Sequence, residues 1–154
     1  MPISLREVRP DDEDFLYKLF CESVGSELNA LDSAHRDAIL RMQYYAQLQN
    51  YNAEFPKADH QIIMLDGKII GRVLVERAEA EHRGVDIALL PEYRSGGIGT
   101  MLIQELLDEA ADAGKPFRIS VVRTNPALHL YHRLGFKVTG ESLTHFMLEW
   151  LSDK

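Results

Sequence analysis

The chain has almost nothing with which to build a disulfide: Cys21 is its only cysteine in 154 residues. That excludes an internal disulfide framework and suits a reducing compartment, so a cytoplasmic location is expected. Its setting, FLYKLFCESV, reads as a small buried helix residue rather than a nucleophile. No apolar run approaches the roughly 20 residues that span a bilayer, so no membrane partner is expected. The opening MPISLREVRPDDEDF lacks an apolar core segment and turns acidic at once, unlike a secretory leader. A basic excess is missing too: 17 Lys and Arg stand against 24 Asp and Glu, for a net charge of -7. No face for a nucleic-acid backbone is expected from that balance, so any anionic ligand must be held by local dipoles and a few cations. His129 and His132 stand three apart on a helix with no third ligand at metal spacing, so no metal is expected. Linkers, repeats and low-complexity tracts are absent as well, which leaves a single domain over residues 1–154.

What is present is an ordinary globular composition, 45% hydrophobic and 27% charged. Ile3, Leu5 and Val8 mark a short first strand. Pro10, followed by Asp11, Asp12, Glu13 and Asp14, opens a helix, because carboxylates complement the positive end of the helix dipole. Phe15, Leu16, Leu19, Phe20 and Val24 follow at helical spacing. A second helix is expected from Ser33 to about Tyr51. In HQIIMLDGKIIGRVLVER, two strand-like runs flank Asp66-Gly67, a hairpin signal. GVDIALL reads as a strand ended by Pro91, which has no N–H for a ladder. A helix from Ile98 carries apolar residues at 98, 102, 106, 110 and 113 and stops at Gly114. FRISVV is a strand, PALHLYHRL a short helix closed by Gly135, and FKV and LTHFMLEWL the last two strands. This order predicts an α+β fold with a mixed central sheet of about seven strands flanked by about four helices.

The stretch PEYRSGGIGT sets Gly96, Gly97 and Gly99 at the entrance to a helix. Where a strand gives way to a helix, several backbone N–H groups have no intrahelical partner and carry the positive end of the dipole. Such an end binds anions, and missing side chains let a bulky phosphate reach the backbone. Arg94 adds a cation able to fork onto phosphate oxygens. A tight turn accounts for one or two glycines, less well for three beside an arginine. Two nucleotide motifs fail here: a dinucleotide fingerprint needs glycine where Leu102 stands, and a P-loop needs Ser or Thr where Pro116 follows Gly114-Lys115.

Arg94, Gly97 and Gly99 spell R-x-x-G-x-G, which resembles the pyrophosphate loop of the GNAT superfamily of acetyl-CoA-dependent N-acetyltransferases. NPALHLYHRLGF, residues 125–136, is similar to that superfamily's second cofactor motif, a short helix that carries a tyrosine and closes in Gly-Phe. The two segments look most like small bacterial members, and the element order matches over essentially the whole chain. In the usual N-x-x-A-x-x-x-Y pattern the first position is Thr124 here, with Asn125 one residue later. Asn125 either serves the cofactor arm or caps the helix at Pro126. The resemblance implies a GNAT fold with acetyl-CoA as co-substrate. It also implies that backbone groups of Leu89 and Leu90, on a strand splayed from its neighbour, pair with the pantetheine amides. The N–H groups of Arg94, Ser95, Gly96, Gly97, Ile98, Gly99 and Thr100 would cradle the pyrophosphate, and Tyr131 would lie near the thioester sulfur.

Acyl transfer to an amine needs a neutral amine, a polarised thioester carbonyl and a proton for the departing thiolate. Tyr131 suits the last task and a backbone N–H near Leu89 the second. Asp86, the only charged side chain in VDIALL, either accepts a proton through water or pairs structurally with Arg72 or Arg94. His145 titrates in the useful range, or is a solvated strand residue. The resemblance places the acceptor pocket on the first two helices, which offer Gln43, Tyr44, Gln47 and Tyr51. Tyr44, Gln47 and Tyr51 share a helical face, although packing on the sheet explains them equally. Glu22, Glu27 and the overall acidity suit a cationic acceptor. The expected acceptor is therefore an amine of a small molecule or peptide. Two other readings stay open: a CoA-binding sensor without turnover, and an enzyme that uses a different acyl-CoA. FMLEWL offers apolar residues for a homodimer or, equally, for the core.

Overall fold

The computed structural model describes residues 3–24 and 31–152. Its elements follow the expected order: β1 (Ile3–Glu7), α1 (Glu13–Val24), α2 (Ser33–Glu54), β2 (Asp59–Leu65), β3 (Lys68–Arg77), β4 (His82–Leu89), α3 (Ile98–Asp112), β5 (Phe117–Val122), α4 (Leu128–Arg133), β6 (Lys137–Glu141) and β7 (His145–Trp150). The strands form one mixed sheet in the order β1-β2-β3-β4-β5-β7-β6, antiparallel except where β4 meets β5. This is the α+β architecture expected, with one mixed sheet of seven strands.

Local chemistry sets the elements. The acidic run before α1 closes a 3-10 turn, Pro10–Asp12: Asp12 accepts the Arg9 N–H at 2.7 Å and is forked by Arg6 at 2.8 and 2.9 Å. The Arg6 guanidinium holds that carboxyl down at about 2. Asp32 caps α2 by accepting the His35 N–H at 2.9 Å. The helix runs past Tyr51 to Glu54 because nothing breaks it before Pro56. Asp66 and Gly67, both at positive φ, make the hairpin between β2 and β3. Glu27 lies outside the described residues. Cys21 is half-buried rather than a core residue, on the flank of α1.

Strand alternation divides the core in two. Ile62 packs with Leu16 and Tyr44 beneath α1 and α2, while its neighbour Ile63 packs with Leu102, Leu106 and Phe117 beneath α3. Both isoleucines are wholly buried. Each large aliphatic side chain buried this way contributes roughly 1.5–3 kcal/mol.

The feature that positions the site is a parting of strands. β4 and β5 pair only from His82–Phe117 to Gly84–Ile119 and then diverge. A Cβ on Gly84 would stand 2.7 Å from Ile119 Cγ2, so glycine is required where the strands touch last. A register shift opposite, between Leu74 and Val75, accompanies the bend of β4 away from β5.

Candidate functional site

At the far end of β4 the chain turns through Pro91–Tyr93 and enters α3. Ser95 and Gly97 take positive φ values of 63° and 87°, which aims successive peptide N–H groups to one side. Among the described residues, no turn, loop or cap hydrogen bond is donated by the N–H of any residue from 95 to 100; the first helical bond is Met101 N–H to Gly97 C=O at 3.0 Å. Six adjacent donors thus stand free at the positive end of a 15-residue helix. A Cβ on Gly96 or Gly97 would meet nothing within 4 Å, and one on Gly99 only Leu89 Cδ1 at 3.9 Å. Gly97 suits its left-handed φ, but neither packing nor backbone conformation requires Gly96 and Gly99 to be bare, whereas a ligand lying on the backbone does. Arg94 folds back, its Nε–H donating to the Leu89 C=O at 3.0 Å, and both Nη groups stay without a partner among the described residues.

The gap between β4 and β5 opens into a cleft of about 440 Å³ lined by Asp86, Ile87, Ser120, Asn125, Tyr131 and His145, among others. Tyr131 is 9% exposed, packs edge-on against Phe136, and its hydroxyl has no hydrogen-bond partner among the described residues. Burial, and then the Asp86 charge, raise its pKa, so the phenol stays a proton donor through the neutral range. Asp86 accepts from Arg72 Nε–H at 2.9 Å and also from Nη2, while Arg72, itself buried, reaches Gln47 Oε1 at 3.0 Å. The carboxylate is thus tied to the arginine on β3, one of the two roles open to it. His145 keeps its Nδ1 on Thr144 Oγ1 at 2.7 Å. Tyr51, between Arg72 and the cleft, has its phenol pushed up to about 12 by burial and by Asp86.

The structure brings together some of the expected residues and disperses others. Asp86, Asn125, Tyr131 and His145 share the cleft. Asn125 Oδ1 accepts the Ala127 N–H at 2.8 Å, a turn-capping bond that answers one of its two expected roles. Leu90 is engaged internally, its N–H on Ile70 at 2.8 Å and its C=O on Tyr93 at 3.0 Å. By strand alternation the backbone groups of Ile87 and Leu89 turn to the gap instead, and the Leu89 carbonyl is already taken by Arg94. Gln43 is exposed, Gln47 serves Arg72, and Tyr44 is 2% exposed in the core against Tyr17, Phe20 and Tyr45. None of these three lines the cleft. Glu54, the last residue of α2, and Phe55, which caps it, do, beside Tyr51. The signal for them is the lack of any helix breaker between Tyr51 and Pro56, which carries the helix three residues past its expected end. Ile87 was legible as the residue two before Leu89 on the same strand.

The decisive comparison is with a family model described as an acetyltransferase (GNAT) domain, which matches residues 56–138, from the hairpin to the start of β6. The chain belongs to the GNAT family. This GNAT chain is 30% identical over 109 residues to an N-alpha-acetyltransferase of Sulfurisphaera tokodaii, across 61% of its own length and 62% of that protein. It therefore spans less than two thirds of that relative. It is 27% identical over 144 residues to a peptidyl-lysine N-acetyltransferase, YjaB, of Salmonella typhimurium, across 92% of itself and 88% of the relative. The crystal structure of the PaiA N-acetyltransferase from Thermoplasma acidophilum in complex with coenzyme A superposes with a TM-score of 0.73 over 99% of this chain and all of that one, at 21% identity, and shows the same fold. No helix among the described residues is long and apolar enough to cross a membrane. No group of three or more metal-ligating side chains occurs among them either.

Proposed function

We propose that this chain, as one domain over residues 1–154, moves an acetyl group from acetyl-CoA to the amine of a small molecule or peptide by direct attack in a ternary complex. One observation carries the reading. Six unpartnered N–H groups at the head of α3 border the same parted strands whose cleft holds the unpaired Tyr131 hydroxyl. The donors and the free Nη groups of Arg94 suit a pyrophosphate, and the exposed edge of β4 at Ile87 suits the amides of the cofactor's arm.

In this reading the neutral amine attacks the thioester carbonyl carbon, the C–N bond forms, and the C–S bond breaks. A gap-facing N–H of β4 polarises the carbonyl oxygen. Tyr131 gives its proton to the departing sulfur, a role its raised pKa permits because the phenol stays protonated. The proton lost by the nitrogen passes to His145, whose Nε2 remains for the cleft while Nδ1 is held by Thr144. Asp86 is tied to Arg72 and orients water rather than taking the proton.

The test is release of free thiol from acetyl-CoA over a panel of amines, beside the same assay with other acyl-CoAs. Tyr131→Phe is expected to lower kcat about a hundredfold with CoA affinity kept. CoA binding without thiol release from any amine would favour a sensor over an enzyme.

A further inference from the structure

The cleft carries a charge that the transfer chemistry does not use. Tyr51, Glu54 and Phe55 occupy positions i, i+3 and i+4 at the end of α2, and all three line the cleft. Of the charged groups on that wall, Asp86 is held by Arg72, and Arg83 is held by Glu81 at 2.8 Å. Glu54 has no partner among the described residues. It also stands at the negative end of a 22-residue helix whose last turn holds no basic residue. A carboxylate there is unfavourable unless a cation joins it. Lys57, just beyond the helix, does not line the cleft. The rings of Tyr51 and Phe55 stand on either side of Glu54 in sequence and add faces that attract cations.

A second observation shows that this space is built for a ligand. Within the same cleft Tyr131 is more than nine-tenths buried, with its hydroxyl unpaired among the described residues. The Asp86 charge acts on both Tyr131 and Tyr51, and the Glu54 charge acts on Tyr51. Tyr131, Asp86, Tyr51 and Glu54 all line this one cleft.

We propose that the amine acceptor carries a second positive charge several atoms from the reacting nitrogen, and that Glu54, with Tyr51 and Phe55, binds this distal cation. The inference rests on the acceptor cleft assigned above. It names the acceptor class as alkyl diammonium compounds or lysine-type chains with a neighbouring cation.

Calorimetry decides it on the CoA-loaded protein, with cadaverine, n-pentylamine and the ω-amino acid of the same chain length as probes. Cadaverine is expected to bind about tenfold more tightly than n-pentylamine, with the amino acid weakest. Added salt narrows the gap, and Glu54→Gln reduces it to about threefold or less. Equal binding of cadaverine and n-pentylamine, a gap that survives Glu54→Gln, or no binding of any amine overturns the proposal. CoA affinity is read first in the same cell. CoA that fails to bind sinks the transferase reading itself, whereas CoA that binds beside indifferent amines sinks the cation site alone. For Glu54→Gln, retained CoA binding also shows that the variant is folded.

Discussion

Replacing Gly97 by aspartate separates the backbone's need for glycine from the ligand's need for it. Gly97 has φ 87°, so any side chain there is strained, and a loss of CoA affinity alone would be ambiguous. Gly114, at the other end of α3, supplies the control: its φ is 70° and a Cβ there also meets nothing within 4 Å. Both substitutions should cost about 1 kcal/mol of stability from the left-handed conformation, a Tm drop of about 2–4 °C for a chain of this size. Only Gly97→Asp places a carboxylate against the free N–H groups and the phosphates they hold. One unit charge at about 5 Å costs roughly 1–3 kcal/mol between the bulk-water and protein-surface limits. A displaced charge-assisted hydrogen bond adds about 1.5–3 kcal/mol. The sum corresponds to a loss of CoA affinity of about a hundredfold or more. Calorimetry with CoA and a thermal melt on each variant make the comparison. Equal CoA affinity in the two variants, with equal losses of Tm, would refute the pyrophosphate cradle.

Other expectations follow from the same geometry. Tyr131→Phe should leave the CoA dissociation constant unchanged while thiol release falls, so a parallel loss of both would make the tyrosine a binding residue only. Arg72→Gln strips Asp86 and Gln47 of their shared buried partner and should cost about 2–3 kcal/mol, the lower range for a broken buried pair because Asp86 is a quarter exposed; urea denaturation checks it. Asp12, held at about 2 by Arg6, has a folded pKa below its ordinary value, so its contribution is complete above that value and is lost as pH falls toward 2. Asp12→Asn should accordingly flatten the acid side of the stability curve between about pH 4 and pH 2, measured by urea midpoints. The half-buried His60 is pushed down to about 4 by desolvation, so the unfolded chain binds the extra proton between its ordinary value and 4, and stability should fall as pH drops through that window. His60→Phe should remove that part of the slope.

The elements visible in the sequence were those with local causes. Asp66-Gly67 sets a hairpin by turn chemistry alone, and the glycines before Ile98 mark a helix entrance wherever the chain goes next. The strand order was not visible, because the insertion of β7 between β5 and β6 depends on pairings far apart in sequence. The parting of β4 from β5 hangs on the close approach at Gly84, which needs Ile119 beside it before the glycine has meaning. Tyr44 and Tyr51 look alike on a helical wheel, yet one is buried against Tyr17 and Phe20 and the other faces the cleft. What distinguishes them is α1, whose Tyr17 and Phe20 cover Tyr44. Asp86 was recognisable as an odd charge in an apolar strand, and Arg72 as a candidate partner. That Arg72 also holds Gln47 required the helix to be in place.

The central claim, that free N–H groups at the head of α3 hold a coenzyme, is tested most directly by an amide-resolved NMR titration with CoA. Saturable, one-to-one binding is expected, with the largest shifts on residues 95–100 and further shifts at Ile87 and Leu89 on β4. Binding without shifts at residues 95–100, or no binding at millimolar CoA, would contradict it.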